Sequence, residues 1–127
     1  MVHRIRLLAD TRVLLWWLAD AKELSGRHRE LLADPLNYVA FSAISMAEIS
    51  IKRALGKLDA PASVAACLRE GGLADLPFTA AHAEALGELP HIDRDPFDRM
   101  LIAQAQVEGM TLATVDPAFQ SYQVTTI

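Results

Sequence analysis

Cysteine occurs once, at Cys67. That excludes a disulfide within the chain and any zinc site built from several thiolates. The four histidines, His3, His28, His82 and His91, are scattered without metal-ligand spacing. No apolar stretch approaches the roughly 20 residues that a membrane-spanning helix needs. His3, Arg4 and Arg6 precede apolar residues as in a secretory leader, but Asp10 and Arg12 interrupt the run. Asp20, Lys22 and Glu23 then stand where a small-residue cleavage site belongs. We therefore expect no export signal and a cytoplasmic location. Excess positive charge is also missing. A net charge of −4 counts mildly against nucleic acid as a partner, unless many of the acids converge on one site and chelate cations.

What is present is the composition of a globular protein. The chain has 127 residues, 52% hydrophobic and 22% charged, which suits one domain (1–127) with a single sizeable core. Short β-type runs alternate with longer helical ones. Strands are predicted at Ile5–Ala9, Asn37–Ser42, Leu73–Pro77 and Met110–Val115, with a possible fifth at Gln123–Ile127. Helices are predicted from Thr11 to about Asp20, about Ser25 to Ala33, about Ile44 to Gly56, after Pro61 to Gly71, Ala80 to Gly87, and Pro96 to Glu108. This alternation predicts an α/β fold: a central, mostly parallel sheet of four to five strands with helices on both faces. In such a sheet the strand ends and following helix starts share one edge, where ligands bind.

Four acids fall on that edge. Asp10 ends strand one, Asp116 ends strand four, Asp98 lies in the first turn of the helix before strand four, and Glu48 lies in the helix after strand two. Each has an ordinary structural explanation. Asp10, Asp95 before Pro96, and Asp116 before Pro117 all suit helix N-caps. Ser45 and Glu48 have the spacing of a capping box. Two features argue for more. Glu48 sits within an apolar stripe formed by Ile44, Ala47, Ile51, Leu55 and Leu58, and Asp98 shares its face with Leu101, Ile102 and Ala105. An acid facing the core is costly unless its charge is compensated. Four carboxylates on one edge also repel one another until their pKa values rise or a cation binds. No lysine or histidine cluster is evident to neutralise them, so the set reads as a site for Mg²⁺ or Mn²⁺, hard ions that take oxygen ligands.

In their order, "LLADTRVLLWWL", "SAISMAEISIKRALGKL" and "DPFDRMLIAQAQVEGMTLATVDPAF" resemble PIN-domain ribonucleases, and most closely VapC-type toxins of bacterial type II toxin–antitoxin pairs. The family's four-acid pattern falls on Asp10, Glu48, Asp98 and Asp116. The resemblance implies a three-layer α/β/α sandwich and Mg²⁺- or Mn²⁺-dependent endonucleolytic cleavage of RNA. Asp10, Asp98 and Asp116 would be the main metal ligands, and Glu48 would bind metal or position the attacking water. Thr11 and Thr114 would orient neighbouring acids through their hydroxyls. Many relatives carry histidine where Arg12 stands and tryptophan where Ala47 stands, which bears on partner or substrate contacts rather than on the acids. The implied partners are RNA, a cognate VapB-like antitoxin and a second copy of the chain.

Around the acids, Arg12, Lys52, Arg53, Lys57, Arg94 and Arg99 could hold RNA phosphates, although salt bridges on a solvated face explain each one singly. Phe97 and Phe119 could stack on bases but suit the core better. The run "VLLWWLA" (13–19) is apolar all round, so more than the sheet must cover it, and an antitoxin contact at Trp16 and Trp17 is the expectation. Two other classes fit the residues less well. A non-catalytic PIN-like interaction module would tolerate loss of the acids, yet all four remain. A receiver domain or a phosphatase of the haloacid dehalogenase type wants a second acid beside Asp10, and "ADTR" supplies none.

Overall fold

The computed structural model describes residues 4–92 and 95–127; His3 and Arg94 lie outside them. Its order is β1 (Arg6–Ala9), α1 (Thr11–Leu18), α2 (Gly26–Ala33), β2 (Tyr38–Ser42), α3 (Ala43–Ala54), α4 (Val64–Glu70), β3 (Ala74–Leu76), α5 (Ala80–Leu86), α6 (Pro96–Glu108), β4 (Thr111–Ala113) and a 3₁₀ turn (Pro117–Ser121). The strands lie in the order β3-β2-β1-β4 and every pairing is parallel.

The two central strands explain the layering. Leu7, Leu8 and Ala9 of β1 and Val39 to Ser42 of β2 are all buried, as expected for strands covered on both faces. Because side chains alternate, Leu7, Ala9, Val39 and Phe41 pack with Val13 and Leu14 of α1, Leu32 of α2, Ile49 of α3 and Leu68 of α4. Leu8, Ala40 and Leu112 pack on the other face with Leu101, Ile102 and Ala105 of α6. The predicted α/β/α sandwich is therefore present. No helix among the described residues is long and apolar enough to cross a membrane.

Three local expectations are corrected. The expected fifth strand (123–127) makes only an isolated parallel bridge, Leu112 to Thr126, flanked by Leu112 N–H to Thr125 O at 2.8 Å and Ile127 N–H to Leu112 O at 2.9 Å. β4 is three residues long and offers too little edge for a longer ladder. Second, α3 is capped by Ser42, whose hydroxyl accepts the Ile44 N–H at 2.9 Å, so the Ser45–Glu48 capping box does not form. Ser42 also donates to the Gln104 side chain at 2.5 Å, which fixes the helix start against α6. Third, only the ends of the apolar stripe of α3, Ile44 and Leu58, pack against the core. Ile51 is 49% and Leu55 63% exposed, whereas Ser45, Glu48 and Ile49 are buried. Glu48 is thus turned inward as expected, but on a face it shares with Ser45 and Ile49.

Candidate functional site

Because every strand is parallel, β1 and β4 end at the same edge, and the helix starts after β2 and before β4 lie beside them. One cleft of about 310 Å³ opens there, and its lining includes Asp10, Glu48, Asp98 and Asp116 together. Asp95, which the sequence marks only as a cap, lines it too, as do Arg12, Lys52 and Lys57.

Asp10 is the most deeply held acid, 5% exposed. Its Oδ1 accepts the Val13 N–H at 2.8 Å, so it is the α1 cap that the sequence predicts. Its Oδ2 accepts the Thr114 hydroxyl at 2.5 Å, and Thr114 Oγ1 in turn accepts the Asp116 N–H at 3.1 Å. One hydroxyl thus links the ends of β1 and β4. Burial pushes the Asp10 carboxyl above its usual value of 3.8, against the opposing effects of the Thr114 hydroxyl, the Val13 N–H, and the charges of Arg12 and His28. Thr11 behaves differently from Thr114: its hydroxyl donates to Ser45 at 2.9 Å, tying α1 to α3 rather than orienting an acid.

Glu48 Oε2 accepts from Lys52 Nζ at 2.7 Å, one turn along α3. The glutamate side chain is 8% exposed and the lysine 44%. The bond to Glu48, with the charges of Glu48, Asp95 and Asp98, raises the Lys52 pKa above its ordinary value, while partial burial opposes the rise. No cluster is needed for this partial neutralisation: a single lysine at i,i+4 reaches Glu48.

Asp95 accepts the Phe97 N–H at 2.9 Å and the Asp98 N–H at 3.3 Å, with Pro96 at the first position of α6. Asp98 follows in the first turn, half-buried, above buried Leu101 and Ile102. Asp116 Oδ1 accepts the Ala118 N–H at 2.9 Å and caps the 3₁₀ turn. Among the candidate phosphate-binding cations, Arg99 is occupied elsewhere, donating to the Pro90 carbonyl at 2.7 Å and to the Tyr122 hydroxyl at 3.3 Å. Arg53 lines a separate small pocket with Met46 and Val64. Phe119 is buried in the core beneath the cleft.

The donor set is oxygen-rich and suits a hard divalent cation. Five carboxylates and three cations line the cleft, leaving two negative charges uncompensated when all are ionised. Among the described residues, however, no three acid, thiol or imidazole side chains stand as a ready-made metal cage.

Fold and cleft together define a class: three-layer α/β proteins with a carboxylate-lined cleft at the carboxyl edge of a parallel sheet. The chain belongs to the PIN domain family, whose sequence profile matches residues 7–124. PIN domains are generally nucleases that use divalent metal ions. Among solved structures it resembles VapBC2 from Rickettsia felis bound to a DNA fragment from the promoter, with TM-score 0.72 and 17% identity over 97% of this chain and 98% of that one. DNA-bound VapBC from Salmonella typhimurium gives 0.67 and 18% over 100% and 98%. FitAcB from Neisseria gonorrhoeae gives 0.62 and 22% over 95% and 96%. At these identities the likeness is one of fold. No curated protein matches the chain.

Proposed function

We propose that the chain is a Mg²⁺- or Mn²⁺-dependent endoribonuclease acting as the toxin of a bacterial toxin–antitoxin pair. The observation that carries this reading is the convergence of Asp10, Glu48, Asp98 and Asp116 on one cleft of a PIN fold. Asp10, Asp98 and Asp116 would hold the divalent ion, with Glu48 as a further ligand or as the group that positions the attacking water. When bound, such an ion supplies a water of lowered pKa and stabilises charge on the phosphoryl oxygens. The chain's own residues do the rest. Thr114 fixes the Asp10 carboxylate. Arg12 and Lys57 line the cleft where a phosphate backbone would lie, giving local attraction despite the negative total.

Purified protein is expected to cut RNA internally with Mn²⁺ or Mg²⁺, to stop in EDTA, and to recover when metal is restored, as read by gel electrophoresis. Cutting that continues unchanged in EDTA would end the proposal. An RNA-inert protein that still binds its partner would favour the non-catalytic module instead.

The VapBC complexes among the similar structures support a VapB-like antitoxin as partner. The surface that suits it is a mainly apolar groove of about 500 Å³ formed by Leu15, Trp16, Leu18, Leu58, Ala60 and Pro61, with their neighbours. The groove shares Arg12, Leu15 and Leu58 with the acidic cleft, so a segment laid along it reaches the acids. Of the two tryptophans only Trp16 lines it; the Trp17 indole nitrogen lies 3.7 Å from where a Cβ on Gly71 would stand. Trp16→Ala is expected to weaken binding of a cognate antitoxin by roughly tenfold or more. Trp17→Ala should weaken it less. Isothermal titration checks this, and wild-type affinity in Trp16→Ala would rule out the groove.

A further inference from the structure

We propose that Lys52 is a resident counter-cation that competes with the divalent ion for Glu48, so that it sets the metal affinity of the cleft. The inference rests on the metal-site reading above and concerns what that reading leaves out.

An ordinary i,i+4 pair on a helix surface has both partners in water and contributes little. The Glu48–Lys52 pair is built differently. The carboxylate is 8% exposed and the lysine side chain 44% exposed. A buried carboxylate needs a compensating partner, and at 2.7 Å the Lys52 ammonium provides it. The same ammonium also feels Asp95 and Asp98, acids brought from α6 across the cleft. Lys52 therefore screens a three-acid neighbourhood as well as its helix partner. Before Glu48 can offer Oε2 to another cation, Lys52 has to leave it. The lysine can do so, because its charge is carried on a long flexible stem that is partly in water.

One further observation agrees. With Lys52 counted, the cleft lacks two positive charges; without it, three. Removing the lysine should therefore increase the pull on a divalent ion.

The test is Mn²⁺ titration, by calorimetry at low ionic strength, into protein stripped with EDTA. Lys52→Met keeps the stem and removes the charge, and is expected to bind Mn²⁺ about tenfold more tightly than wild type. Lys52→Arg keeps the charge and should bind no more tightly than wild type. Lys57→Met removes a cation that lines the same cleft, and so measures the loss of one nearby charge alone; its gain should be clearly smaller. Lys52→Gln repeats the measurement if the Met variant does not fold. Equal affinity in wild type and Lys52→Met, or equal gains in Lys52→Met and Lys57→Met, overturns the inference while the metal site stands. If neither wild type nor variants take up Mn²⁺, the metal-site reading falls and the inference with it.

Discussion

Asp10→Asn should reduce metal-dependent RNA cleavage by roughly a hundredfold or more and, in EDTA, leave a protein at least as stable as wild type. The two halves come from different parts of one side chain's environment. Cleavage is lost because an amide cannot supply the negative charge a divalent ion needs. The fold survives because the amide oxygen can still accept the Val13 N–H and cap α1.

The stability half has a sign that can be worked out. Burial raises the folded pKa of Asp10 above the 3.8 expected when unfolded. A raised carboxyl favours folding below the unfolded pKa, and that contribution is lost as pH rises through the folded pKa. At neutral pH the charged, buried Asp10 is therefore a burden that asparagine does not carry. Thermal melts in EDTA, from below pH 3.8 up to neutrality, should show the variant gaining on wild type as pH rises. A variant that melts lower than wild type at neutral pH would mean that the charge-assisted Thr114 bond outweighs desolvation. Unimpaired cleavage by Asp10→Asn would remove this residue from the proposed site.

Asp98 and Asp95 should part company just as clearly. Asp98→Asn is expected to remove cleavage, again by roughly a hundredfold or more, with little change in melting temperature. Asp95→Ala takes away the acceptor for two N–H groups at the start of α6 and should cost about 1 kcal/mol of stability. Asp95 also lines the cleft, so the alanine variant mixes cap and charge. Asp95→Asn separates them, since it keeps a capping oxygen and removes the charge. It should retain cleavage within a few-fold of wild type. If cleavage collapses as far in Asp95→Asn as in Asp98→Asn, then Asp95 also belongs to the site and the sequence-based division of labour is wrong.

Much of that division was legible in the sequence, along with part of the fold. α6 was bounded correctly because both ends carry strong local signals: Asp95 and Pro96 start it, and Gly109, at φ 65°, ends it. β1 and β2 were legible as short apolar runs because both of their faces are covered. The gathering of four acids was legible because parallel topology alone sends strand ends to one edge. The rotation of α3 about its own axis was not, since it depends on Ser42 meeting Gln104, 62 residues away. The cap of α5 was missed for a local reason. Thr79 pairs with His82, whose Nδ1 accepts the Thr79 N–H at 2.9 Å, and histidine is not the acid or amide sought at that position. Lys52 was seen as a base near the acids but not as their partner, because pairing within a cleft depends on which helix face is turned inward.

The bond between Thr114 and Asp10 joins residues 104 positions apart. On the ribosome this is a matter of time. Asp10 is made well before β4, the strand that must lie beside β1, and well before the threonine that holds its carboxylate. At roughly 5–20 residues per second, synthesis of the intervening stretch takes on the order of 5 to 20 s. During that interval the growing chain carries its first acid without the cleft around it. A chain cut short before β4 would lack Thr114 and Asp116 altogether, leaving abandoned synthesis products without the assembled cleft.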